Sequence, residues 1–130
     1  MERSKKRILI IDDDKYVQQV FTRILEKQGY IIECAETGQE AIEKFQNQKY
    51  DIALIDVKLP DINGVDLISK MHTMHPEIIK IAITGFPSLE DSTKLIDRGA
   101  CAYIVKPIKP EELIQIISEK LREKSNKNAF

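Results

Sequence analysis

Short apolar segments recur along the chain at similar spacing, and each has the length of a β-strand. They are rich in Ile and Val and are continuous rather than alternating. Segments of this kind are typical of strands that are buried on both faces, as in a parallel sheet. The five predicted strands are Ile8–Ile11, Tyr30–Cys34, Ile52–Ile55, Ile78–Ile83 and Cys101–Val105.

A segment with helical periodicity follows each predicted strand. From Val17 to Leu25, apolar residues recur at the spacing i, i+3, i+4, i+7, i+8, which places them on one helix face. Thr37 and Glu40 form the pattern of a capping box that opens the second helix, and Pro110 suits the first turn of the fifth. The residues that mark the second to fifth helices are Ala41, Ile42 and Phe45; Val65, Ile68 and Met71; Leu89, Leu95 and Ile96; and Leu113, Ile114, Ile117 and Leu121.

Glycines fall at the predicted boundaries, where Gly29 and Gly99 can close helices and Gly38 and Gly64 can open them. Five repeats of strand then helix imply an α/β domain with right-handed crossovers. The length of 130 residues suits one domain over residues 1–130. We expect its core at about residues 6–123 and a polar, frayed tail at 124–130.

Composition argues against several functional classes. Lys and Arg total 20 and Asp and Glu total 21, so the chain lacks the basic excess of a nucleic-acid-binding protein. No apolar run approaches the roughly 18 residues of a membrane span, and none suits a secretion signal. Cys34 and Cys101 have no metal-binding spacing. We expect both to be small buried residues in a cytoplasmic protein.

Chemically capable residues follow the predicted strands. In an open parallel sheet, ligands bind beyond the C-terminal ends of the strands, near the switch point of the topology. The carboxylates that end the first and third strands should therefore meet at one edge. The residues that follow or end the first, third, fourth and fifth strands are Asp12, Asp13 and Asp14; Asp56; Thr84 and Gly85; and Lys106 and Pro107.

A cluster of Asp12, Asp13 and Asp56 needs cations, because two carboxylates about 4 Å apart repel by about 4 kcal/mol at an effective dielectric constant near 20. Lys106 supplies one fixed positive charge, and a site of carboxylates and water suits Mg²⁺. The alternative is that the aspartates only cap the first helix. Capping accounts for Asp14 but leaves the strand that ends in Asp56 unexplained.

Asp56 follows an apolar strand, so its carboxylate should emerge at the rim of the sheet. It is either a solvated charge at a strand end or a nucleophile for a phosphoryl group. Phosphoryl transfer depends on positioning and on neutralising the phosphoryl oxygens. Mg²⁺ and the Lys106 ammonium could neutralise them, and the Thr84 hydroxyl could donate a hydrogen bond to one of them.

Four segments together resemble the receiver domains of two-component response regulators. They are ILIIDDD at 8–14, DIALIDVKLPDING at 51–64, ITG at 83–85 and YIVKP at 103–107. Each motif alone is weak, but the four in this order and at these spacings are specific. The resemblance covers about residues 6–123 and implies a flavodoxin-like (βα)5 fold with strand order 2-1-3-4-5. It also implies transfer of a phosphoryl group from a phosphohistidine to Asp56.

The resemblance assigns the remaining site residues. Asp13 and Asp56 would bind Mg²⁺, or Mn²⁺ in its place, directly; Asp12 would act through water and Lys58 through its backbone carbonyl. The side chains of Lys58 and Phe86 occupy positions that tune the lifetime of the phosphoryl group in this family.

The family's switch also has counterparts here. Thr84 would move toward the phosphoryl group and Tyr103 would turn inward, which would alter the face formed by helix 4, strand 5 and helix 5. The peptide bond before Pro107 would be cis. Ala102 and Ile104 either give that face an apolar character suited to a protein partner or a different dimer, or serve only in packing. The acidic and arginine residues of the charged dimer face in winged-helix regulators are missing, so we expect a monomer or a weak phosphorylation-dependent dimer.

We therefore predict a phosphoacceptor signalling module that is not a turnover enzyme. Its partners would be a sensor histidine kinase or phosphotransfer protein, and a downstream effector or linked output domain. One alternative is a Mg²⁺-dependent phosphohydrolase, but such enzymes usually carry a general acid two residues beyond the nucleophile, where this chain has Lys58. The other is a phosphate-independent interaction domain. Because Met1 begins the chain and the tail is short, we slightly favour a stand-alone receiver over an isolated receiver of a larger regulator.

Overall fold

The computed structural model describes the backbone of residues 5–85 and 89–128, and their side chains except those of 89–92 and 127–128. Phe86, which was expected to influence phosphoryl lifetime, lies outside the described residues. Five strands alternate with five helices along the chain. Their bounds are β1 Arg7–Ile11, α1 Lys15–Glu26, β2 Ile31–Ala35, α2 Gly38–Asn47, β3 Ile52–Asp56, α3 Gly64–Met74, β4 Ile79–Thr84, α4 Leu89–Asp97, β5 Ala102–Val105 and α5 Pro110–Asn128.

The strands form one parallel sheet in the order β2-β1-β3-β4-β5. This confirms the predicted strand order and the flavodoxin-like fold. β1 pairs with β2 on one side and with β3 on the other, so the direction in which successive strands are added to the sheet reverses at β1. The C-terminal ends of β1 and β3 therefore lie next to each other at the switch point, where ligands bind in open α/β sheets.

A separate apolar cluster covers each face of the sheet. Leu9 and Ile55 point to the side of α2, α3 and α4, whereas Ile8 and Ile10 point to the side of α1 and α5. Both β1 and β3 are buried on the two faces, because successive side chains of a strand alternate between them. This double burial explains why their sequences are continuously apolar.

Polar caps fix the starts of α1 and α2 as the sequence predicts. The Asp14 Oδ1 atom accepts hydrogen bonds from the N–H groups of Tyr16 and Val17, at 2.9 and 3.3 Å. The Thr37 Oγ1 atom accepts a hydrogen bond of 3.1 Å from the Glu40 N–H. The Glu40 carboxylate, however, accepts from the N–H of Glu36 instead of completing a reciprocal capping box.

α5 continues to Asn128, so residues 124–128 of the expected frayed tail are helical, whereas 129–130 lie outside the described residues. Two contacts support its last turns: Lys124 Nζ donates a 2.6 Å hydrogen bond to the Glu77 carbonyl, and Lys120 pairs with Glu123 at 3.2 Å. The polar residues of 124–126 suit a part of the helix that extends along the surface.

The burial of four side chains could not be read from the sequence. Cys101 precedes β5 and is exposed, whereas Cys34 is half-buried, so neither cysteine is the fully buried residue that we expected. Ile104 packs into the cluster on the side of α1 and α5 and is unavailable to a partner. Lys80 lies fully buried within β4, and its Nζ donates to the carbonyls of Ile78 and Pro76 at 2.7 and 3.4 Å.

No helix within residues 5–85 and 89–128 has the length and apolar character that a membrane span requires.

Candidate functional site

Three carboxylates converge at the switch point. Asp12 and Asp13 follow β1, and Asp56 is the last residue of β3. One carboxylate oxygen from each lies within 4.8 Å of the others. Asp12 and Asp56 are buried, while Asp13 is exposed. The tertiary structure thus joins the three aspartates that the strand ends singled out.

Asp12 is the most deeply buried of the three. Its Oδ1 accepts a 2.9 Å hydrogen bond from the Asp14 N–H. Its Oδ2 is buried and accepts no hydrogen bond from any residue that the structure describes. The pKa of Asp12 is raised to about 6, chiefly by burial; the Asp14 N–H lowers it, and the Asp56 carboxylate raises it. An ionised, buried oxygen of this kind is poorly satisfied by the protein alone.

Lys106 brings an ammonium group to the cluster from the loop after β5. Its Nζ lies 3.5 Å from Asp56 Oδ2 and 3.9 Å from Asp12 Oδ2. Its backbone N–H donates to the Thr84 carbonyl at 2.8 Å, which extends the pairing of β4 with β5 by one residue. The Lys106–Pro107 peptide bond is cis, in agreement with the expectation.

The residues present fit a hard divalent cation. Three carboxylates lie together, and Lys106 pairs with two of them, so negative charge remains in excess among these groups when all are ionised. The buried Asp12 Oδ2 atom gains a partner if a cation or its bound water lies beside it. Carboxylate oxygens with room for water suit Mg²⁺, which keeps several water ligands in protein sites.

The loop between β3 and α3 fixes the orientation of Asp56. Asp56 Oδ1 accepts a 3.0 Å hydrogen bond from the Lys58 N–H, which leaves Oδ2 facing Lys106. Lys58 and Asn63 form an antiparallel bridge across the loop. The Gly64 N–H donates to the Val57 carbonyl at 2.9 Å and closes it. The exposed side chain of Lys58 projects from this loop.

Asp61, in the same loop, is a residue that the sequence analysis missed. Its carboxylate accepts hydrogen bonds from the N–H groups of Gly38 and Gln39, at 2.8 and 2.9 Å. These two donors hold the pKa of Asp61 below its ordinary value. Asp61 and Gly38 are 23 residues apart, so no local sequence pattern connects them.

The two predicted switch residues lie on β4 and β5. Thr84 ends β4, is half-buried and pairs in register with Val105. Tyr103 lies on β5 beside Ala82, and its side chain is 41% exposed. The structure does not bring the Tyr103 ring to the carboxylate cluster, so its inward turn stays a prediction.

Comparison with known protein families gives an independent result. The family model described as "Response regulator receiver domain" matches residues 8–118. Among solved structures, the chain is similar to a CheY-like response regulator receiver domain protein from Methanospirillum hungatei JF-1. The two are 44% identical with a TM-score of 0.93, over 95% of this chain and 99% of that chain.

Curated relatives include both short and long proteins. The chemotaxis protein CheY of Thermotoga maritima is 30% identical over 88% of this chain and 96% of that protein. The alginate biosynthesis transcriptional regulatory protein AlgB of Pseudomonas putida is 30% identical over 82% of this chain, but only 24% of AlgB is covered. The chain therefore spans about a quarter of the length of the AlgB relatives that it matches.

Proposed function

Because the chain belongs to the response regulator receiver domain family of two-component systems, we propose that Asp56 accepts a phosphoryl group from a phosphohistidine. The observation that carries the proposal is the placement of Asp56. One of its oxygens is held by the Lys58 N–H at 3.0 Å, and the other faces the Lys106 ammonium at 3.5 Å. A carboxylate aligned in this way beside a cation is suited to nucleophilic attack on phosphorus.

In the proposed transfer, a carboxylate oxygen of Asp56 forms a bond to phosphorus while the bond from phosphorus to the donor imidazole nitrogen breaks. The Lys106 ammonium binds a phosphoryl oxygen, and the Thr84 hydroxyl donates a hydrogen bond to another. Mg²⁺, or Mn²⁺ in its place, would neutralise the developing charge when held by Asp13, Asp56 and the Lys58 carbonyl, with Asp12 acting through water.

The proposed output is a change in the face formed by α4, β5 and α5. A phosphoryl group adds negative charge next to Lys106, and Thr84 and Tyr103 would rearrange in response. The donor would be a sensor histidine kinase or a phosphotransfer protein in the cytoplasm, and the receiver of the signal an effector protein or a linked output domain. The domain would catalyse its own phosphorylation and dephosphorylation without turning over an outside substrate.

Incubation with acetyl phosphate and Mg²⁺, followed by intact-mass measurement, tests the acceptor. We expect one phosphoryl adduct on the wild type, and none on Asp56→Asn or in the presence of a chelator. Absence of an adduct on the wild type under all conditions would refute the transfer. In that case, equal partner binding by wild type and Asp56→Ala would support a phosphate-independent interaction domain.

Tyr103 provides a test of the switch. Its side chain is 41% exposed, so a tyrosine-nitrating reagent should modify it readily. After treatment with beryllofluoride and Mg²⁺, we expect slower nitration of Tyr103, because the ring would turn inward. Peptide mass spectrometry would measure the rate, and Tyr103 in Asp56→Asn should show no change. Equal nitration rates in the treated and untreated wild type would contradict the switch.

A further inference from the structure

The carboxylate of Asp61 joins two segments that are far apart in sequence. It lies in the loop between β3 and α3, and it accepts hydrogen bonds from Gly38 and Gln39 in the first turn of α2. The first N–H groups of a helix have no partner within the helix. Asp61 supplies that partner from outside, with two bonds of 2.8 and 2.9 Å.

The N-terminus of α2 has a second cap, and this cap is local. Thr37 Oγ1 accepts a hydrogen bond from the Glu40 N–H within the same turn. The Thr37 hydrogen bond therefore stabilises α2 from within its own first turn, whereas Asp61 bonds the loop to the helix. A comparison of Thr37 with Asp61 can therefore distinguish the capping of α2 from the attachment of the loop to α2.

Side-chain packing reinforces the same junction. Ile62, next to Asp61, contacts Gly38 so closely that its Cγ2 atom occupies the space that a Cβ on Gly38 would need. A larger residue at position 38 would therefore push Ile62 away. The loop is held against α2 by two hydrogen bonds and by one close apolar contact.

The anchored loop is the segment that orients Asp56. The Lys58 N–H donates to Asp56 Oδ1, and Lys58 is held by its bridge to Asn63. Asp61 lies between these two residues. Movement of the loop away from α2 would shift the Lys58 backbone and, with it, the orientation of the Asp56 carboxylate.

We propose that Asp61 is a positioning residue that fastens the β3–α3 loop to α2 and thereby keeps Asp56 and the Lys58 backbone aligned for metal binding and phosphoryl transfer. This inference rests on the proposed function. Asp61 acts through the loop and touches neither the phosphoryl group nor the cation. Residues that orient metal ligands from outside the ligand set commonly change metal affinity by about 10- to 100-fold when they are replaced.

Three variants separate positioning from simple helix stabilisation. Asp61→Ala removes the charge and both hydrogen bonds. Asp61→Asn removes the charge but keeps one oxygen acceptor. Thr37→Ala removes the hydrogen bond of the local cap. Calorimetric titration with Mg²⁺ would measure affinity, and the rate of acetyl phosphate labelling would measure transfer. Amide hydrogen exchange at Lys58 would report the position of the loop without any metal.

We expect Asp61→Ala to weaken Mg²⁺ binding by about tenfold, to slow labelling and to speed exchange at Lys58. Thr37→Ala should leave all three readings within about twofold of wild type, even if it lowers the melting temperature, since a cap affects mainly helix stability. Asp61→Asn should lie between wild type and Asp61→Ala. Both variants at position 61 remove the charge, so the difference between them reports the lost hydrogen bonds. The effect of the lost charge at a distance is screened by salt.

Two results would overturn the inference: unchanged exchange and Mg²⁺ affinity in Asp61→Ala, or equal losses in Asp61→Ala and Thr37→Ala. Failure of the proposed function has a different signature, because the wild type itself would then form no adduct. Faster exchange at Lys58 in Asp61→Ala alone would still support the anchoring of the loop in that case.

Discussion

The surroundings of Asp12 within the protein stabilise the neutral, protonated form of its carboxyl group. The residue is 2% exposed and its Oδ2 lacks a hydrogen bond within the described part of the chain. Its pKa is raised to about 6, whereas an unfolded chain has the ordinary value of 3.8. The folded state therefore loses stability as pH rises from about 4 to 6, and the loss is complete above pH 6.

Asp12→Asn should consequently stabilise the metal-free protein. At pH 7.5 we expect a gain of about 1–3 kcal/mol in the free energy of unfolding, because a buried charge is removed. Below pH 4 the gain should vanish, since wild-type Asp12 is then neutral in both states. Urea titrations at the two pH values would measure this difference. Asp13→Asn is the matched control, because Asp13 is exposed; an equal gain there would show that burial is not the cause.

The same raised pKa should make Mg²⁺ binding depend on pH. Below pH 6 the cation must displace a proton from Asp12, so we expect affinity to fall by about tenfold for each further pH unit. Calorimetric titrations from pH 5 to pH 8 would follow the change, with a plateau above pH 7. Affinity that stays constant across this range would exclude Asp12 from the binding equilibrium.

At the scale of elements, the β3–α3 loop is a tightly packed connection near the site. A Cβ on Gly64 would lie 2.5 Å from the Val57 Cα and 2.9 Å from its carbonyl oxygen. Both neighbours are backbone atoms, which cannot move aside as a flexible side chain can. Glycine at this position therefore lets the start of α3 approach the end of β3 closely.

Gly64→Ala should force these two segments apart and lower the free energy of unfolding by about 1–3 kcal/mol, the usual cost of overpacking. Gly85→Ala is a suitable control, because a Cβ there would meet no atom of the described residues within 4 Å, its chain neighbours aside. Thermal unfolding followed by circular dichroism would compare the two variants. A similar melting temperature for Gly64→Ala and wild type would show that the loop can adjust at little cost.

At the scale of the whole molecule, the site lies at the edge of a sheet whose two faces are covered by separate apolar clusters. The apolar clusters on the two faces hold β1 and β3 in register, and the register places Asp12 beside Asp56. A cation that binds this arrangement binds only the folded chain, because the unfolded chain does not bring the carboxylates together. Metal binding should therefore stabilise the entire domain.

Mg²⁺ at 100 times its dissociation constant should add about 2.7 kcal/mol to the free energy of unfolding. Differential scanning calorimetry over a range of Mg²⁺ concentrations would detect the rising melting temperature. Asp56→Asn should reduce the effect, since it removes one carboxylate of the cluster. If the two proteins rise equally, the cation stabilises the fold from some other site.

The sequence predicted the parts of this protein that depend on local pattern. Continuous apolar runs indicated strands buried on both faces, and the aspartates that follow β1 and end β3 indicated where chemistry would lie. Asp14 could be identified as a cap because its partners are the next residues along the chain. The order of the strands followed from the family resemblance, and not from the pattern of each strand.

The tertiary structure alone decided contacts between distant segments. The burial of Lys80, the exposure of Cys101 and the continuation of α5 along the surface depend on which neighbours cover each side chain. The bonds from Asp61 to α2 cross 22 and 23 residues. Local periodicity reports which face of an element is apolar, but a hydrogen bond between separate elements depends on how they pack, and that is fixed only when the whole chain folds.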